Sequence, residues 1–321
     1  MSKIKVIILI FTSFAIFLIS LFSGPTVINP FEMNGTEKEI LFSIRLPRVI
    51  VAFLMGMALG SSGAVLQGIL RNPLADPYIL GISSGSALTA ALGLLSGFYL
   101  TSTMSIPLLA LTGATFVSLL VGTLGWKQKG IWPERLLLAG VGLSFLFYAL
   151  LMLIISIAPG ERMRRAVLWI FGDLSIADWS LIPYGALLIV TGFFIAISRA
   201  KALNALMLGD EFAHSLGFSV NKERLLFFMS VVIMTSASVS LGGTIGFIGL
   251  LIPHIIRFLI GADNRVLIFM SAFCGGTFLC IADLIGRSII SPVEIPSGIV
   301  TAIIGSPYFL YLLRKKDMLS V

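Results

Sequence analysis

The chain has 321 residues, of which 57% are hydrophobic and only 12% charged. A soluble domain carries roughly twice that charged fraction, so no single aqueous core hides this apolar surface and the solvent must be lipid. The net charge of +7 comes from lysines and arginines scattered through short polar stretches. No basic stripe interleaved with aromatics is present, which sets nucleic acid aside as a partner and leaves membrane orientation as the main role of these charges.

Apolar runs near the ~20 residues that cross a bilayer recur along the whole chain. Hydropathy and helix breakers predict ten helices, at about 4–22, 47–68, 80–97, 105–125, 136–157, 181–198, 225–242, 246–260, 266–286 and 297–313. The reading is one all-α membrane domain over residues 1–321. The opening run "MSKIKVIILIFTSFAIFLISLF" has no clear small-x-small cleavage site, so it is read as a retained first span and not a signal peptide. The third and eighth segments are short for a full crossing and are expected to be tilted, buried, or broken beside a cavity.

With Met1 in the cytoplasm, fifteen of the 22 Lys and Arg residues fall inside, and seven fall outside: Lys38, Arg45, Arg48, Arg162, Arg164, Arg165 and Arg287. This bias places both termini in the cytoplasm. Trp126, Trp132, Trp169 and Trp179 lie just beyond predicted span ends, where an aromatic belt forms. Gly63, Pro73 and Gly81 recur at a constant offset as Gly243, Pro253 and Gly261. Five spans separate the copies, so a duplication here would be inverted, an arrangement common in transporters.

Intrinsic catalysis is not expected. The chain has no G-x-x-x-x-G-K-[ST], no H-E-x-x-H, no CxxC and no convincing Ser/His/Asp set. Cys274 and Cys280, six apart in one apolar segment, fit neither zinc nor a disulfide and read as packing residues. His214 and His254 have nothing to pair them as metal ligands. Asp283 is the clear intramembrane acid, with Arg287 one helical turn on, and a local ion pair is the expected arrangement. One acid beside an arginine makes a poor proton relay. An ion-driven secondary transporter therefore fits less well than a machine powered elsewhere.

The longest predicted cytoplasmic loop, about 199–224, contains "ALMLGDEFAHSLGFS" (205–219). Leu208, Phe212 and Leu216 fall at i, i+4 and i+8 and form one apolar stripe, with Asp210, Glu211 and His214 off it. Two readings stand: a short helix lying on the membrane or the bundle, or a projecting knob that another protein grips.

Several segments together resemble the FecCD family of permeases from ATP-binding-cassette (ABC) importers. They are "RLPRVIVAFLMGMALGSSGAVLQGILRNPLADPYILGISSGS" (45–86), "RLLLAGVGLS" (135–144), "LGDEFAHSLG" (208–217), "GTIGFIGLLIPHIIRFLIGADNRVL" (243–267) and "ADLIGRSIISPVEIPSGIVTAIIGSPYFLYLL" (282–313). The resemblance implies a type II importer permease of ten helices, forming a homodimer with a pathway on its two-fold axis in the inner membrane. It implies two separate ATPase subunits below, which hold ATP and Mg, a substrate-binding protein above, and no cofactor on this chain. The implied cargo is a ferric siderophore or heme, with cobalamin next and an oxyanion as a further case on the same scaffold.

Site residues follow from the same likeness. Leu208, Gly209, Ala213, Leu216 and Gly217 match the family's coupling pattern, Asp210 stands in the place of its usual acid, and Glu211 and Phe212 complete the segment. Arg45, Arg48 and Arg287 match arginines that receive acids of the binding protein, while pairing with Asp283 and Glu294 or snorkelling to headgroups is the alternative. Pro133 and Glu134 stand where the family's cytoplasmic gate carries small hydroxyl residues, a departure from its pattern. Ser61, Ser62, Ser83 and Ser84 either line a smooth passage or allow close helix packing.

Overall fold

The computed structural model describes residues 3–127 and 130–314; Lys129, Lys315 and Lys316 of the charge count lie outside the described residues. Helix α1 (Lys3–Phe22) is followed by α2 (Gly35–Glu39), which runs through a π-helical turn (Ile40–Arg45) into α3 (Leu46–Leu70). Then come α4 (Ile82–Ser96), α5 (Ser105–Gly125), an antiparallel pair of two-residue strands, β1 (Trp126–Lys127) and β2 (Gly130–Ile131), and α6 (Pro133–Ser156). The rest is α7 (Gly160–Ile170), α8 (Ile182–Ser198), α9 (Ala200–Leu208), α10 (Asp210–Ser215), α11 (Val220–Gly242), α12 (Ile248–Ile260), α13 (Asn264–Ser288) and α14 (Ser297–Arg314).

Each of the ten predicted apolar segments forms a helix. Six of them (α1, α3, α5, α6, α11 and α13) are long and apolar enough to cross a bilayer alone; α8 and α9 form a pair bent by 55°, and α4, α12 and α14 are shorter. The chain is a multi-pass membrane protein. Its breaks lie inside protein, as backbone without lipid-exposed polar groups must. Between α11 and α12, for example, the Ile245 N–H donates to Tyr78 Oη at 2.8 Å.

Helix α3 is the spine. In its most apolar window 78% of residues are buried, against 17% in α1 and 11% in α6. Helices in lipid gain little from hydrophobicity on meeting one another, so small residues that let backbones approach decide the packing. Gly56, Gly60 and Gly63 supply that surface at helical spacing. A Cβ on Gly56 would sit 2.2 Å from the Gly275 carbonyl oxygen, one on Gly60 2.2 Å from that of Ser271, and one on Gly63 2.0 Å from that of Gly249. Thus α3 lies backbone to backbone on α13 and α12.

Three features depart from the sequence reading. Helix α7 occupies an outer stretch expected to be loop, because its charged face hides an apolar one that buries Ala166 and Trp169. Trp169 accordingly leaves the belt and is buried, while Trp126, Trp132 and Trp179 remain about half exposed. Two of the three pairs of the repeat sit in unlike local structure: Gly63 lies within α3 but Gly243 caps α11, and Pro73 is in a turn but Pro253 is inside α12, whereas Gly81 and Gly261 both cap helices at positive φ. The offset draws support at the last pair alone.

Replacing Gly56 with Val drives a side chain into backbone that cannot yield. We expect a loss of about 3 kcal/mol in the detergent-solubilised protein, read by thermal unfolding. Gly142→Ala, where no atom lies within 4 Å of the new Cβ, is expected to be silent.

Candidate functional site

Opposite ends of the bundle carry two clusters. The first is the knob formed by α9 and α10. Gly209, at φ +135°, breaks the helix between them, and Gly217, at φ +84°, closes the segment; both lie in the left-handed region that glycine enters without Cβ strain. The segment is therefore built of two short helices, α9 and α10. Leu208, Phe212 and Leu216 are 72%, 45% and 56% exposed, whereas Ala213 is fully buried. The stripe faces away from the protein.

Polar contacts fasten the knob to three spans. Asp210 pairs with Arg71, at the end of α3, and with Arg224 of α11 at 2.8 Å. The Arg71 Nε–H also donates to the Leu206 carbonyl at 2.9 Å. From α9, Asn204 donates to Asp263 at 2.9 Å and accepts from the Asn264 N–H at 2.9 Å, at the start of α13. Hydrogen bonding from Arg265, with a further bond from Asn204, holds the Asp263 carboxyl well below the usual carboxylate range. This tether is therefore intact across neutral pH and lost only in strong acid.

Beside the knob lies a cavity of about 320 Å³ whose lining includes Arg71, Pro133, Glu134, Asp210 and Arg224. The structure thus brings the two expected gate positions, at the first turn of α6, next to Asp210 of the knob. Glu134 is exposed and Pro133 half-buried.

The second cluster is at the other end of α3. Arg48 binds Asp283 through Nε and Nη2, at 3.0 and 2.8 Å, and binds Glu294 through Nη1 at 2.7 Å. Arg287 lies 3.5 Å from Asp283 and donates to the Ser20 carbonyl. Arg45 donates to the carbonyls of Leu21, Phe22 and Thr26. All three arginines and Asp283 are buried, while the Glu294 side chain is 41% exposed. These arginines do not project. Asp283, expected to pair with Arg287 on its own helix, is bound chiefly by Arg48.

Ser61, Ser62 and Ser84 are fully buried and hydrogen-bond within their own helical turns; Ser62 also meets Thr235 of α11 at 3.2 Å. Ser83 differs, lying 3.3 Å from Tyr148 Oη on α6.

With this geometry in view, comparison with known proteins is decisive. A family model for the FecCD transport family matches residues 7–315. The chain belongs to the FecCD transport family. Relatives of this FecCD chain include the hemin transport system permease protein HmuU of Yersinia pestis, 40% identical with 89% of this chain and 87% of that one aligned. Another is the iron(3+)-hydroxamate import system permease protein FhuG of Bacillus subtilis, 37% identical with 94% of each covered. A solved inward-facing structure described as a metal-chelate type ABC transporter superposes with a TM-score of 0.86 at 32% identity, covering 96% of this chain and 97% of that one.

Sequence reasoning found the knob but not what fastens it. Arg71, Arg224 and Asn204 carry no motif; only folding brings them to Asp210 and Asp263. For Arg48 the sequence had left pairing with Asp283 and Glu294 open, and it is this pairing that the structure contains.

The arginine cluster yields an asymmetric prediction. Asp283→Ala strands Arg48 and Arg287 in a buried site and should cost about 3–5 kcal/mol. Glu294→Ala removes a half-exposed partner and should cost under about 1 kcal/mol. Thermal unfolding of the two variants in one detergent checks the contrast.

Proposed function

We propose that this chain is the transmembrane subunit of a binding-protein-dependent ABC importer that carries a ferric chelate, a siderophore complex or heme, into the cytoplasm. The observation that carries the reading is the exposed stripe of Leu208, Phe212 and Leu216 on a knob tied to α3, α11 and α13. An apolar stripe facing away from its own protein suits a groove on another. In this reading, two separate ATPase subunits hold ATP and Mg and grip the knobs of a homodimer. Their closure then moves three spans together, as rigid bodies rocking about a pathway require.

The positive-inside bias supports a knob and both termini in the cytoplasm. The barely buried α6 supplies a face for the second copy and the passage, with Ser83 and Tyr148 at its edge and Pro133 and Glu134 at its inner mouth as the gate. The outer cluster is the region we assign to the substrate-binding protein. Arg45, Arg48 and Arg287 outnumber Asp283 and Glu294, and the half-exposed Glu294 is the group that an acidic side chain of the partner would displace. The iron-chelate cargo rests on relatives named for hemin and iron(3+)-hydroxamate transport.

Two measurements test this. Leu208→Asp combined with Phe212→Asp should abolish co-purification of the ATPase and ATP-driven uptake in proteoliposomes, while stability changes by no more than about 0.5 kcal/mol. Retained co-purification defeats the knob assignment. Titration of the cognate binding protein should show binding of heme or a ferric siderophore; binding of cobalamin alone overturns the cargo and leaves the knob untouched.

A further inference from the structure

At the end of the bundle opposite the knob, α7 folds back over α4 and α5. Its Arg162 donates to the Leu95 carbonyl at 2.6 Å, near the end of α4. Beneath it lies a cavity of about 270 Å³. Leu94, Ile106, Trp169 and Leu181 line it and are buried. The more accessible lining is polar: Ser102, Thr103 and Arg165 are exposed and Asp173 is half-buried.

Two charges of opposite sign thus share one opening without neutralising each other. The Arg165 guanidinium lies over the Tyr99 ring, 5.0 Å from its centroid, a cation–π contact that positions the group without consuming its donors. Asp173 accepts from the N–H and hydroxyl of Ser175. Among the described residues neither has an ion-pair partner. A second orphan lies deeper. The indole N–H of Trp169, a residue 3% exposed, has no acceptor among the described residues, and a buried donor without a partner is costly.

We infer that this cavity is a phospholipid site, selective for a headgroup that joins a phosphate to a primary ammonium, as in phosphatidylethanolamine. The phosphate meets Arg165, the ammonium meets Asp173, and one acyl chain enters between α4, α5 and α7. An acyl chain already in lipid gains little by entering an apolar slot, so the headgroup contacts set the affinity. Phosphatidylcholine offers no N–H to Asp173, and phosphatidylglycerol brings no cation.

The test is native mass spectrometry of the full chain in mild detergent, titrated with the three lipids at matched acyl chains. Phosphatidylethanolamine should be retained above both others by the unaltered protein. Arg165→Ala should weaken it about tenfold, the equivalent of one charge-assisted hydrogen bond. Asp173→Asn, which keeps the local turn, should bring its affinity down to that of phosphatidylglycerol. Glu161→Gln, on the same helix but outside the cavity lining, should change nothing. Equal retention of the three lipids by the unaltered protein, or retention indifferent to Arg165→Ala and Asp173→Asn, would overturn the site; the first outcome needs no variant to fold.

Discussion

The fold depends on the contact of backbone with backbone along α3. Gly56, Gly60 and Gly63 bring it onto α13 and α12 so closely that carbonyl oxygens of the partner helices occupy the space a Cβ would need. In lipid this is how helices associate without a hydrophobic gain of their own. Placing α3 at the centre fixes both of its ends. One end presents Arg48 to Asp283 on α13. The other presents Arg71 to the knob, where Gly68 also packs closely against the Leu203 side chain of α9. A displacement of the knob is therefore felt along a helix that touches most of the bundle.

The knob inverts the logic of the spans. On the spans, large apolar side chains meet protein or face outward where lipid would lie, while a few others, such as Val27 and Phe31, are exposed in loops. Leu208, Phe212 and Leu216 stand exposed at the turn of two short helices, beyond the spans on either side, and the buried Ala213 and the ion pairs of Asp210 hold them there. The cavity between the knob and the start of α6 puts the proposed gate beside the proposed handle. In the proposed function, force on α10 would have a short path to Pro133 and Glu134.

Much of this was legible in the chain, for identifiable reasons. Ten apolar runs became ten helices because the bilayer sets length and composition strictly. The knob was legible because glycine punctuation and an i, i+4, i+8 stripe are local signals. What was hidden is non-local or amphipathic. Helix α7 reads as loop because its arginines mask the face that buries Trp169. The pairing of Arg48 with Asp283 and Glu294 was one of the two readings left open, but across 235 residues no local signal could rank it above nearby Arg287 as the partner of Asp283. The serines of α3 were open between passage and packing; Ser61 and Ser62 are fully buried, and Ser62 meets Thr235 of α11.

The central claim is that the stripe on the knob is held by a separate ATPase that moves it. A photoreactive benzophenone side chain placed at position 212, in the full chain co-expressed with its ATPase, tests this most directly. Illumination in native membranes should give an adduct between this chain and the ATPase, in a form of the transporter that still imports. Adducts with lipid or with this chain alone, in cells whose import is undiminished, would contradict it.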